Sequence, residues 1–179
     1  MNKILLPLTA VALCFSAQQA LAATDSAQGT AKAKIIAPIT IAAVTAKPMN
    51  FGTMLKPASD DSYTVQLSTA SVRTCSDNDQ CVSDTENTHT AGEFTITSGD
   101  ARSATITIPT GLTISGAGDV SAIKFKLGAS GTETAATNAA QSINLEATTQ
   151  TLYVGGTLSV TEAATVGEHE GNYTVTLNY

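Results

Sequence analysis

Polar and apolar residues alternate one by one through most of this chain, and the alternation runs to its last residue. In Gly171-Asn172-Tyr173-Thr174-Val175-Thr176-Leu177-Asn178-Tyr179, Tyr173, Val175, Leu177 and Tyr179 share one face, because successive side chains of a strand point to opposite sides. The same period of two predicts a strand over residues 31–43. There Ala31, Ala33, Ile35, Ala37, Ile39, Ile41 and Ala43 line one face, with Lys32, Lys34 and Thr40 between them. Pro38 has no N–H to give to a ladder, so this strand is expected to lie at an edge or to bend there.

Tyr63-Thr64-Val65-Gln66-Leu67, Glu93-Phe94-Thr95-Ile96-Thr97 and Ala104-Thr105-Ile106-Thr107-Ile108 alternate in the same way. The last two are expected to form a hairpin across Ser98-Gly99-Asp100. Shorter candidates follow at Leu112-Thr113-Ile114, Ile123-Lys124-Phe125-Lys126-Leu127, Ile143-Asn144-Leu145, Leu152-Tyr153-Val154 and Leu158-Ser159-Val160, the last two separated by a break at Gly155-Gly156. Residues 132–141 are alanine-rich and read as a short helical turn or a loop; residues 75–92 read as a polar, acidic, solvated loop. About nine short strands between Gly, Asp, Asn and Ser clusters predict an all-β fold, an antiparallel Greek-key β-sandwich of immunoglobulin-like or pilin-like type.

Residues 1–22 depart from this pattern. Lys3, an apolar stretch from residue 4 to residue 15 and the small-residue exit Ala20-Leu21-Ala22 form the three parts of a Sec signal peptide, with cleavage expected after Ala22. The apolar stretch is shorter than the roughly 20 residues that span a bilayer. Cys14 follows Leu13, where a lipoprotein site needs a small residue, so no lipid anchor is expected. The expected organisation is a signal over residues 1–22, a flexible segment over 23–34 and one sandwich domain over 35–179.

Past residue 22, eight basic residues stand against fifteen acidic ones, a net charge of −7. Scattered cations in an acidic chain give no footprint for nucleic acid or anionic lipid, so neither is expected as a partner, and no direct membrane span is expected either. Aromatic residues are few, which leaves the core to Ile, Val, Leu and Ala and counts against sugar stacking. Cys75 and Cys81 are expected to form a disulfide in an oxidising compartment.

No constellation for catalysis emerges. His89 and His169 are eighty residues apart and outside any ligand spacing. Asp60-Asp61 and Asp77-Asn78-Asp79 offer oxygens, but without the glycine and distal glutamate of a calcium loop. Gly111–118 does not open a helix, and no nucleophile elbow is present. Asn172-Tyr173-Thr174 matches a glycosylation sequon but falls inside a predicted strand. No enzyme, cofactor or metal site is expected.

Three segments together resemble a secreted bacterial family known as domain of unknown function family 4402. They are Ala37-Pro38-Ile39-Thr40-Ile41 leading to Met49-Asn50-Phe51-Gly52, then Phe94-Thr95-Ile96-Thr97-Ser98-Gly99, and Val154-Gly155-Gly156-Thr157-Leu158 followed by residues 171–179. The early asparagine-phenylalanine-glycine element and the tyrosine-bearing final strand are also similar to chaperone–usher pilins. This resemblance implies a structural subunit of an extracellular fibre or fimbria that supports surface adhesion. Such a subunit is exported through the periplasm and assembled by β-strand addition with copies of itself or related subunits, with a periplasmic chaperone and an outer-membrane usher as partners. The expected assembly interface is Tyr173, Val175, Leu177 and Tyr179 on the final strand, with Ile35, Ile39 and Ile41 on the donated or first strand. The alternative is a self-sufficient secreted module that binds carbohydrate or calcium.

Overall fold

The computed structural model of the chain describes residues 25–179. The expected signal peptide over residues 1–22 and its cleavage point lie outside the described residues. Two units divide the chain, Met1–Lys34 and Ile35–Tyr179. In the first, residues 25–34 form no helix or strand and are exposed throughout, as befits a stretch with no large apolar side chain to bury.

The second unit is all-β. Its strands are β1 (Thr40–Ala43), β2 (Ser62–Leu67), β3 (Arg73–Cys75), β4 (Gly92–Thr97), β5 (Arg102–Thr107), β6 (Leu112–Ile114), β7 (Gly118–Leu127), β8 (Thr134–Ala135), β9 (Gln141–Leu145), β10 (Thr149–Thr161) and β11 (Thr176–Asn178), with one 3-10 turn at Asn78–Gln80. Every pairing is antiparallel. The larger sheet is organised around β10. One edge of β10 pairs with β7, while its other edge is shared end to end, residues 149–154 with β4 and residues 156–161 with β2. β1 flanks β4, β3 flanks β2, and β6 and β8 flank β7. The smaller sheet runs β11-β5-β9.

Apolar faces of the two sheets meet in a β-sandwich. Val65, Leu67, Ile96, Val120, Ile123, Leu152, Val154 and Leu158 of the larger sheet and Ala104 and Ile106 of β5 are at most 4 % exposed, and all belong to one core cluster. At about 25 cal/mol per Å² of apolar area removed from water, each of the larger side chains contributes roughly 1.5–3 kcal/mol. The burial alternates along β2 as the sequence pattern predicts, with Tyr63, Val65 and Leu67 inward and Ser62, Thr64 and Gln66 outward.

Four expectations are corrected. The hairpin across Ser98-Gly99-Asp100 does not form: β4 and β5 belong to different sheets. The buried Ser98 donates from Oγ to the Asp100 carbonyl at 2.6 Å and turns the chain from one sheet to the other. Gly155-Gly156 is not a break but the middle of the 13-residue β10. A Cβ on Gly155 would meet the Leu67 carbonyl and lie 3.1 Å from the Thr69 nitrogen, and one on Gly156 would lie 2.9 Å from Val120. The pair is therefore needed where the chain leaving β2 turns across β10. Of the two readings of residues 132–141 the helical turn does not form: the segment is loop, interrupted by β8 and ending on the first residue of β9. The first strand is confined to Thr40–Ala43, leaving Ile35 outside it.

The turn after β2 is fixed by a carboxylate. Thr69, 1 % exposed, donates from its backbone nitrogen at 3.1 Å and from Oγ1 at 2.6 Å to Glu133 Oε1. Glu133 Oε2 lies 3.6 Å from Lys124 Nζ. These contacts, the Thr69 hydroxyl foremost, hold the Glu133 carboxyl below its ordinary range against the opposing effect of burial.

Candidate functional site

The side of the sandwich that carries β11 is built differently from the middle. Hydrogen-bonded strand is confined to Thr176–Asn178, which faces residues 105–107 of β5 and leaves the other edge of β11 without a paired strand among the described residues. Residues 171–175 continue the alternation but make no backbone hydrogen bond among the described residues. Tyr173, Val175 and Leu177 are half-buried and pack on the core, while Asn172, Thr174 and Thr176 are exposed. A row of backbone donors and acceptors next to a half-covered apolar face is the feature of an edge that can take another strand.

Tyr173 anchors this segment. Its ring meets Phe94 of β4 edge to face, with centroids 5.8 Å apart at 75°, a geometry favoured by the ring quadrupoles. A Cβ on Gly92 would collide with the Tyr173 hydroxyl, so the glycine makes room for the ring. Burial pushes the Tyr173 phenol up to about 12, and it stays neutral at any physiological pH. Gly171 lies against β6, where a Cβ would sit 2.7 Å from the Thr113 carbonyl.

The other residues expected at the interface are divided by the structure. Ile39 is buried and joins the core, and Ile41 on β1 is half-buried against it; β1 is the edge of the larger sheet, paired among the described residues only with β4. Ile35 is 95 % exposed and Ile36 is also exposed, neither in a strand. The period of two over residues 31–43 therefore does not mark one buried face: it is interrupted at Pro38, and Ala43 is exposed as well. Tyr179 lies beyond the paired residues and is 62 % exposed instead of sharing the inward face.

Arg102, which no sequence signal singles out, joins these parts. Its Nη2 donates to the Ala37 carbonyl at 2.8 Å and lies 3.6 Å from Asp100 Oδ2, and its guanidinium stands 5.6 Å from the centre of the Tyr179 ring. The exit of the exposed Ile35-Ile36 segment is thus pinned near the end of the final strand.

Cys75 and Cys81 form the expected disulfide. Its closed loop is short, so the chain-entropy effect is about 2 kcal/mol. The region it staples is less of a free loop than its composition predicts. Arg73 donates to the carbonyls of Phe51, Thr53 and Val82, Asn50 Nδ2 donates to Asn87 Oδ1 at 2.7 Å, and Thr53 Oγ1 donates to Asp84 Oδ2 at 2.8 Å. The backbone N–H of Glu86 and the Thr53 hydroxyl hold the Asp84 carboxyl below its ordinary range. The Asn50-Phe51-Gly52 element has a structural role here. Phe51 enters the core, and Gly52 adopts φ +80° while donating its N–H to Asn50 Oδ1 at 2.8 Å.

His169 bonds locally to Thr165, and His89 packs beside Gly52. Among the described residues no group of three His, Cys, Asp or Glu side chains could hold a metal ion, and no helix is long and apolar enough to cross a membrane. An open cleft of about 830 Å³ lies at the β9–β10 turn, with Phe125 and Ile143 at its apolar part and Glu146, Thr148, Thr151 and Tyr153 among its polar lining.

The family model described as "Domain of unknown function (DUF4402)" matches residues 39–179. The chain belongs to that family. No curated protein matches the chain.

Proposed function

For this member of the DUF4402 family we propose the role of a structural subunit of an extracellular fibre or fimbria, exported by Sec through the periplasm and assembled by β-strand addition in support of surface adhesion. The observation that carries this reading is the segment of residues 171–178, whose inward face is half-covered and whose outer edge has no strand beside it among the described residues. An added strand gains main-chain hydrogen bonds there and covers Tyr173, Val175 and Leu177. Head-to-tail contact of one edge with a different segment of the next copy is heterologous and gives an open filament. The exposed Ile35 supplies an apolar side chain for that contact, and Ile39 and Ile41 remain with their own core. A periplasmic chaperone would cover the edge before assembly and an outer-membrane usher would pass the subunit outward.

Surface fibres imaged by negative stain, together with ladders on gels of unboiled samples, test this reading. Ile35→Asp changes a residue that is 95 % exposed and is expected to leave folding intact, while Val175→Asp with Leu177→Asp charges the edge itself. Both variants are expected to lose fibres. Fibres of normal abundance from the Ile35→Asp and the Val175→Asp/Leu177→Asp chains alike contradict strand addition at this edge.

A further inference from the structure

Resting on the fibre reading, we propose that Lys32 and Lys34 of one copy pair with Glu168 and Glu170 beside the free edge of a second copy, and that this charge pairing sets the register of the contact. The occupant of the edge is thus a second copy of this chain. One observation calls for such a device. The exposed segment that precedes β1 reads Thr30-Ala31-Lys32-Ala33-Lys34-Ile35, so its apolar face offers two methyl groups and a single large side chain. Strands of that kind specify register weakly, because a slip of two residues keeps the same face inward and displaces only one large side chain. Side-chain size alone cannot hold this segment in one place.

Charge can. Residues 161–179 contain Glu162, Glu168 and Glu170 and no Lys or Arg, whereas residues 26–37 contain Lys32 and Lys34 and no acid. Lys32, Lys34, Glu168 and Glu170 are all exposed, and none of them forms an ion pair among the described residues. Both pairs are spaced by two residues, the repeat of one strand face. Their faces also agree. Glu168 and Glu170 share parity with the exposed Asn172, Thr174 and Thr176, opposite Tyr173, Val175 and Leu177. Lys32 and Lys34 lie opposite Ala33 and Ile35. When the lysines meet the glutamates on the outer face in a parallel pairing, Lys32 beside Glu168 and Lys34 beside Glu170, Ile35 therefore turns toward the inner face beside Gly171, at the start of the half-covered row. A slip of one residue would turn the lysines inward, and a slip of two would leave one lysine and one glutamate unpaired. Cross-strand pairs of opposite charge stabilise, and like charges at the same positions repel, which gives selection against wrong registers.

Charge-swapped chains provide the test, read as surface polymer from cells making the full chain. Lys32→Glu/Lys34→Glu and Glu168→Lys/Glu170→Lys, each produced alone, are expected to lower polymer at least tenfold while unfolding at the temperature of the natural chain. Produced together they are expected to restore it as a copolymer, since every contact between unlike copies then joins opposite charges. Two results overturn the pairing while the fibre reading stands: undiminished polymer from either variant alone, or no recovery when both are made. A natural chain that stays monomeric at the cell surface overturns the fibre reading, and this inference falls with it.

Discussion

Strand β10 and residues 171–178 carry the same alternation of side chains but end in different states. β10 has strands along both edges, and its inward residues Leu152, Val154 and Leu158 are essentially inaccessible. The final segment has β5 beside residues 176–178 and no other paired strand among the described residues, and its inward residues are only partly buried. The comparison teaches that alternation specifies which face is apolar, whereas the neighbours on each edge determine how far that face is buried. β10 has its neighbours within the chain; residues 171–178 have room for one more.

The largest expected effect lies in β10. Leu158→Ala should destabilise the domain by about 3 kcal/mol, the loss of a buried side chain plus an unfilled cavity. Leu177→Ala should cost about 1.5 kcal/mol, because part of its surface is already in water and less of it is buried. Denaturant melts of the two variants measure the difference directly. Equal costs would mean that the β11 side is closed in solution and would remove the basis of the comparison.

A smaller effect separates the two regions by pH. The Glu133 carboxyl secures the turn that crosses β10, and its folded value lies below the unfolded one. Its contribution is therefore present above the unfolded carboxylate range and is lost as pH falls through the depressed value. Glu133→Gln should cost about 1 kcal/mol at neutral pH, allowing for the partial exposure of the group. It should also flatten the acid limb of a stability–pH curve. An unchanged acid limb would show that the turn is held by packing alone. Residues 171–178 contain no Asp or Glu, and Tyr173, pushed up to about 12 by burial, stays neutral over the acid limb.

Local alternation made β2, β4, β5 and most of β7 legible in the sequence, because each buries one face against the other sheet. The short distance between Cys75 and Cys81 likewise pointed to their disulfide. What the sequence concealed is non-local. Gly155-Gly156 reads as a break because the reason for both glycines, the Leu67 backbone on one side and Val120 on the other, lies far away along the chain. Ser98-Gly99-Asp100 has hairpin chemistry, yet its strands belong to different sheets, and nothing within the turn distinguishes the two outcomes. The alternation across Pro38 joins an exposed Ile35 to a buried Ile39, and nothing in the local pattern separates the two. At the candidate site Tyr173, Val175 and Leu177 were recognisable from their parity, whereas Arg102 was not, because its partners Ala37 and Tyr179 come from opposite ends of the domain.

Hydrogen exchange at individual backbone amides, in the monomer and in the assembled state, tests the free edge most directly. In the monomer the amides of residues 172–175 should exchange at least a hundredfold faster than those of residues 152–158. In the assembled state the former should slow at least tenfold and the latter should not change. Protection of residues 172–175 equal to that of β10 in the monomer, or no gain of protection on assembly, would contradict the account.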